Sequence, residues 1–174
     1  MSSHHNQPWS LSNDKISLVR YDPSPANVIE NCNRLVEAFE ADRFFGAVLK
    51  NGQRHRYQLA IPIFEDGSLA GRLLIQAGPR FAGICHYRFE FNPAILGIAG
   101  VNRVLEILDS VFAEGSYHLL RNSFVTRLDV ALDLYGLSVD QLIVWNRRQR
   151  KSMSRLIRSR SARAISRLWV THKF

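Results

Sequence analysis

The spacing of apolar and polar positions changes period several times along the chain, and each change marks an element boundary. Lys15–Tyr21 (KISLVRY) has the branched apolar content of a short strand. It stops at Asp22-Pro23-Ser24-Pro25, where Ser24 suits an N-cap and Pro25 the first helical position. Val28, Ile29, Cys32, Leu35, Val36 and Phe39 then recur at helical spacing, which predicts an amphipathic helix over roughly residues 25–41. Extended segments follow at Phe44–Leu49, Tyr57–Phe64, Arg72–Gln76 and Ile84–Phe91. They end at Asn51-Gly52, Asp66-Gly67, Gly78-Pro79 and Asn92-Pro93 respectively, all turn chemistry. Val101, Val104, Leu105, Leu108, Val111 and Phe112 predict a second helix, and Phe124–Leu134 is the longest strand candidate. Helices separated by hairpin-linked strands predict an α+β fold, an antiparallel sheet with helices packed on one face.

Two of these strands carry a greasy face and a charged face. In Ile84–Asn92, Tyr87, Phe89 and Phe91 alternate with His86, Arg88, Glu90 and Asn92. In Val125–Leu134, Leu128, Val130, Leu132 and Leu134 alternate with Arg127, Asp129, Ala131 and Asp133. Period-two alternation sends the greasy faces to the helices and leaves the charged faces looking out together. Charges on an open sheet face are ordinarily solvent decoration. Asp is nevertheless disfavoured inside strands, because its side chain competes with the ladder, and this strand holds two, about 13 Å apart along one face. Converging carboxylates suit a hard divalent cation. Arg88 and Arg127 suit phosphate oxygens, or neutralise the acids.

Composition adds a marked asymmetry. The 174 residues are 46% apolar and 22% charged, enough for one packed core. Residues 1–146 hold 13 basic and 15 acidic side chains, whereas residues 147–174 hold 10 basic and no acidic ones. The formal charge of +8 therefore belongs to the tail. The expected organisation is a disordered N-terminus (1–14), an α+β domain (15–146) and a basic tail (147–174), either an amphipathic helix or a disordered segment. Within 15–146, Ser138 with Gln141 three positions on suits a capping box opening a further helix. No apolar run approaches 18 residues and no secretory pattern opens the chain, so neither a transmembrane segment nor a leader is expected. Cys32 and Cys85 read as buried thiols of a reducing compartment, and the expected location is cytoplasmic.

FVTRLDVALDLYG, residues 124–136, resembles the motif of the replication initiation factor family, the rolling-circle initiators of plasmids and filamentous phages, related to conjugative relaxases. RFEFNPAIL, residues 88–96, is similar to the upstream strand motif of the phage-type members, and the resemblance covers roughly residues 40–140. It implies a DNA strand-nicking and joining endonuclease domain on an antiparallel sheet. In such a domain Mg²⁺ or Mn²⁺ on sheet carboxylates polarises a scissile phosphate. A tyrosine attacks, leaving a 5′-phosphotyrosine and a free 3′-hydroxyl that primes replication. The resemblance makes Asp129 the first metal ligand, with Glu90 and Asp133 next, and places Arg88 and Arg127 on phosphate.

The chain departs from the wider superfamily at two points. No His-x-His pair occurs, although His86 shares the charged face and is a further candidate ligand. No tyrosine follows Tyr135, so the nucleophile is not identified; Tyr21, Tyr57, Tyr87 and Tyr117 all precede the motif. The expected partners are DNA, single-stranded or as an origin hairpin, and host replication proteins. The alternative is a truncated, non-catalytic DNA-binding protein relying on the tail cations Arg147, Arg148, Arg150 and Lys151, with Trp145 and Trp169 available to stack on bases. The same tail suits an anionic membrane surface. A third reading is a protein-interaction module whose charged sheet face is an ordinary solvated surface.

Overall fold

The computed structural model describes residues 9–134, 155–156 and 166–170. The chain runs β1 (Trp9–Arg20), α1 (Pro25–Glu40), β2 (Val48–Lys50), β3 (His55–Glu65), β4 (Ser68–Pro79), β5 (Tyr87–Phe91), α2 (Pro93–Val111), α3 (Gly115–Arg121), β6 (Phe124–Leu134), β7 (Arg155–Leu156) and β8 (Ser166–Val170). The strands form one sheet in the order β2-β3-β4-β5-β1-β6-β8-β7, with every pairing antiparallel. This is an α+β architecture. Among the described residues, no helix is long and apolar enough to cross a membrane.

Local chemistry sets most boundaries. Ser24 accepts the Asn27 N–H at 3.3 Å and Pro25 opens α1. Asn92 caps α2 in the same way, accepting from Ile95 N–H at 3.1 Å before Pro93. The β3–β4 hairpin closes through Asp66 and Gly67, both at positive φ, between Glu65 and its partner Ser68. α2 starts eight residues earlier than the apolar spacing predicts, because Gly97 at φ 62° breaks the helix and hides its first turn from a 3.6-residue pattern.

The core lies between the sheet and the helices. Leu59, Ile61 and Ile63 of β3, Leu73 and Ile75 of β4, and Tyr87 and Phe89 of β5 face Leu35 of α1 and Leu96, Val104, Leu108 and Val111 of α2. Phe112 stands edge-on to both Tyr87 (5.1 Å between ring centroids) and Phe89 (5.5 Å), an arrangement favoured by the ring quadrupoles.

Three expectations are corrected. Residues 9–14 are strand, not disordered terminus: β1 pairs with β6 from Trp9–Leu134 onward, and ladder pairing overrides the low strand propensity of Ser, Asn and Asp. Within the tail, Arg155–Leu156 and Ser166–Val170 belong to the sheet, β8 pairing with the outer side of β6; surrounding arginines mask the strand content of SRLWV. Finally, the helices pack mainly on other strands than β6. α2 crosses β1, β3 and β4, and Val125 and Leu128 of β6 stay exposed. Leu128 is 39% exposed whereas Asp129 on the opposite face is 3% exposed, the reverse of the expected burial.

Two substitutions test this layering by urea denaturation. Phe112→Ala is expected to lower stability by about 3–5 kcal/mol through loss of a buried ring. Leu128→Thr is expected to change it by less than about 1 kcal/mol, as at other exposed sites. Comparable losses at both positions would mean that the helical layer covers β6 after all.

Candidate nucleic-acid interface

On the sheet face away from the helices, side chains from adjacent strands form rows set by register. One row runs Lys50, Gln58, Gln76, Arg88, Val19, Phe124 across β2, β3, β4, β5, β1 and β6. The next runs Val48, Ala60, Leu74, Glu90, Ser17, Arg127, and beyond it Lys15 stands opposite Asp129. The two motif strands are therefore not neighbours. β1 lies between them, and Glu90 and Arg127 flank the same residue, Ser17.

Each carboxylate is engaged by cations. Glu90 accepts from Lys15 Nζ at 2.7 Å and from Arg88 Nε and Nη2 at 2.8 and 2.6 Å. Asp129 takes a bidentate contact from Arg127, whose Nε lies 2.9 and 3.0 Å from the two oxygens and whose Nη2 lies 2.6 Å from Oδ2. Burial raises the Glu90 pKa, but the bonds from Lys15 and the charge of Arg88 outweigh it and hold the carboxyl below its ordinary value of 4.5. The Ser17 hydroxyl at the centre is fully buried with no hydrogen-bond partner among the described residues, and the same holds for Oδ2 of Asp14 at the β1 bulge.

The fit of a divalent cation can be judged from this donor set. Glu90 and Asp129 stand on strands two apart, about 9.5 Å by strand spacing, and Lys15 already supplies a cation to the first while facing the second. Among the described residues, no three His, Cys, Asp or Glu side chains converge closely enough to hold a metal ion. Of the expected set, Glu90 and Asp129 are thus each paired with cations on separate strands. Asp133 pairs through its backbone with Ser10 and Arg167, and its side chain lies outside the described residues. Arg147, Arg148, Arg150 and Lys151 also lie outside them. His86 has another task, its Nδ1 accepting the Asp22 N–H at 2.7 Å.

Burial disfavours the ionised forms of the buried thiols and of the Tyr87 hydroxyl. Burial pushes the Cys32 thiol up to about 11 despite the nearby Arg56 charge. Cys85 is likewise raised by burial, and the pKa of its neighbour His55, 3.6 Å away, is pushed down by burial against the opposing bond to the Cys85 carbonyl. Tyr87 is fully buried, its hydroxyl accepting from Asn31 and its pKa driven upward by burial. Sequence reasoning missed the exposed Phe124 on the charged face, because a bulge at Thr126 shifts the register between Ser17 and Leu18 and reverses the parity of the first two residues of β6.

The chain matches no protein-family model and no curated protein.

Because the folded pKa of Glu90 is depressed, its stabilisation is present above pH 4.5 and lost as pH falls through the folded value. Glu90→Gln is expected to cost about 1.5–3 kcal/mol at pH 7, the range for hydrogen bonds to charged groups. The gap to the parent chain should close on acidification below pH 4.5, which urea midpoints across pH 2.5–7 would reveal.

Proposed function

We propose that this chain is an initiator-type domain that binds single-stranded DNA for rolling-circle replication of a plasmid or phage, with the cationic sheet face as its docking surface. One observation carries the reading: Arg88 and Arg127, from the two strands that bear the family-like motifs, flank β1 on one face and are each about one-third or more exposed. Each guanidinium spends Nε and Nη2 on a carboxylate and keeps Nη1 for a phosphate oxygen. The carboxylates orient the forks, and Lys15, Lys50 and Arg72 on the same face leave cations in excess over Glu90 and Asp129. The reading is for binding and assigns no nucleophile. Nicking requires a tyrosine hydroxyl at the phosphate, and Tyr87 on β5 is turned into the core.

The second reading, a non-catalytic binder relying on the basic tail, is favoured by the charge asymmetry of residues 147–174. Deleting those residues would remove β8 from the edge of β6, so the two readings are separated by substitution in the full chain.

Fluorescence anisotropy with a labelled single-stranded oligonucleotide across a salt series tests both. Binding is expected to weaken with salt at a slope of about −0.7 per phosphate contact. Arg88→Gln with Arg127→Gln is expected to lower affinity and flatten that slope by one to two contacts. If the pair binds as the parent does while neutralising Arg147, Arg148, Arg150 and Lys151 abolishes binding, the tail reading takes its place. Failure to retain the oligonucleotide at low salt defeats both readings and favours the protein-interaction module.

A further inference from the structure

At the end of the cationic face three rings meet. Tyr21 follows β1 and is 48% exposed; Phe124 opens β6 and is 64% exposed. Their centroids lie 6.4 Å apart with planes inclined at 66°. His86, just before β5, stands 6.2 Å from Tyr21, also at 66°. Apolar rings that serve packing are covered, yet these two large rings share one patch and both stay open.

The patch is built in position. Val19 pairs with both Arg88 and Phe124, so it lies between cation and ring as a buried floor. His86 is fixed twice: its backbone N–H donates to the Arg20 carbonyl at 2.9 Å, and its Nδ1 accepts from Asp22 N–H at 2.7 Å. The second bond makes the neutral ring carry its proton on Nε2, a donor with no acceptor among the described residues. The nearest acid in sequence, Asp22, is turned inward, Oδ1 accepting the Ser24 N–H at 2.9 Å. Two open aromatic faces beside an arginine, with no outward carboxylate on the adjoining turn, match the two parts of an unpaired nucleotide. The base has a π face and the phosphate a charge.

Resting on the reading of the cationic face as a DNA-binding surface, we propose that Tyr21 and Phe124 form a stacking site for an unpaired DNA base, whose 5′ or 3′ phosphate is held by Arg88. The site takes single-stranded rather than double-stranded DNA, because a paired and stacked base offers no free face to the rings. His86 Nε2–H lies at the rim, where it donates to a base edge or a phosphate oxygen. Charge complementarity of the adjoining rows selects nucleic acid over an apolar peptide as occupant.

The test uses the full chain and labelled oligothymidylate, the same oligomer carrying abasic positions, and a duplex of equal length. The parent chain is expected to prefer the base-bearing single strand over the abasic one. Phe124→Ala and Tyr21→Ala are each expected to weaken oligothymidylate binding roughly 5- to 160-fold, the range of base stacking on one ring. Their salt slopes should be unchanged, since no phosphate contact is lost. Phe124→Tyr and Tyr21→Phe keep a ring and are expected to bind within about twofold of the parent, which separates stacking from misfolding. If the parent binds with its salt dependence intact but both alanine variants bind equally well, the stacking site is overturned while the DNA-binding reading stands. Equal binding of abasic and base-bearing strands by the parent overturns it in the same way. A parent chain that holds no oligonucleotide at low salt overturns both.

Discussion

The position of β1 governs what the rest of the molecule can present. By pairing with β5 on one side and β6 on the other, it joins two strands that lie far apart in sequence into one surface. It also contributes Lys15 and Ser17 to the gap between them. Backbone hydrogen bonding enforces this placement, since a central strand satisfies its N–H and C=O groups on both sides. Two bulges make the arrangement usable. One at Asp14 lets Lys15 face Asp129, and one at Thr126 brings Phe124 onto the face of Arg127.

The electrostatics follow from that geometry. A buried carboxylate is expensive unless a cation compensates it, and here the compensating cations are side chains of the same face. Asp129 is covered by its own strand neighbour Arg127, and Glu90 is shared between Lys15 and Arg88. The acids thus serve to aim guanidinium and ammonium groups. A metal ion at this place would have to displace Lys15 from Glu90 and Arg127 from Asp129. A phosphate needs only the N–H groups those pairs leave over.

Much of the architecture could be read from residue patterns. Caps at Ser24 and Asn92, the Asp66-Gly67 turn and the alternation in β5 placed both long helices and the hairpin strands, because each depends on local chemistry. What escaped depends on distant partners. The strand character of residues 9–14 and 166–170 exists only because β6 offers them a ladder on either side. The open apolar face of β6 was missed because periodicity reports which side chains share a face, not which face a helix covers. At the candidate site, the common face of Glu90, Arg88, Arg127 and Asp129 was legible. The intervening β1, the lysine it inserts and the parity change that exposes Phe124 were not.

The register also imposes an order of assembly. The β3–β4 hairpin closes through a two-residue turn and can form as soon as Pro79 is made. β1 has no such local partner: Trp9 meets Leu134, and Ile16 meets both Phe91 and Leu128. Closing loops of that length is an entropic barrier rather than an equilibrium one, so rate should suffer more than stability. On the ribosome, β1 emerges well before β5 and β6, the two strands that flank it. Its apolar side chains wait, unprotected, until those later segments are made.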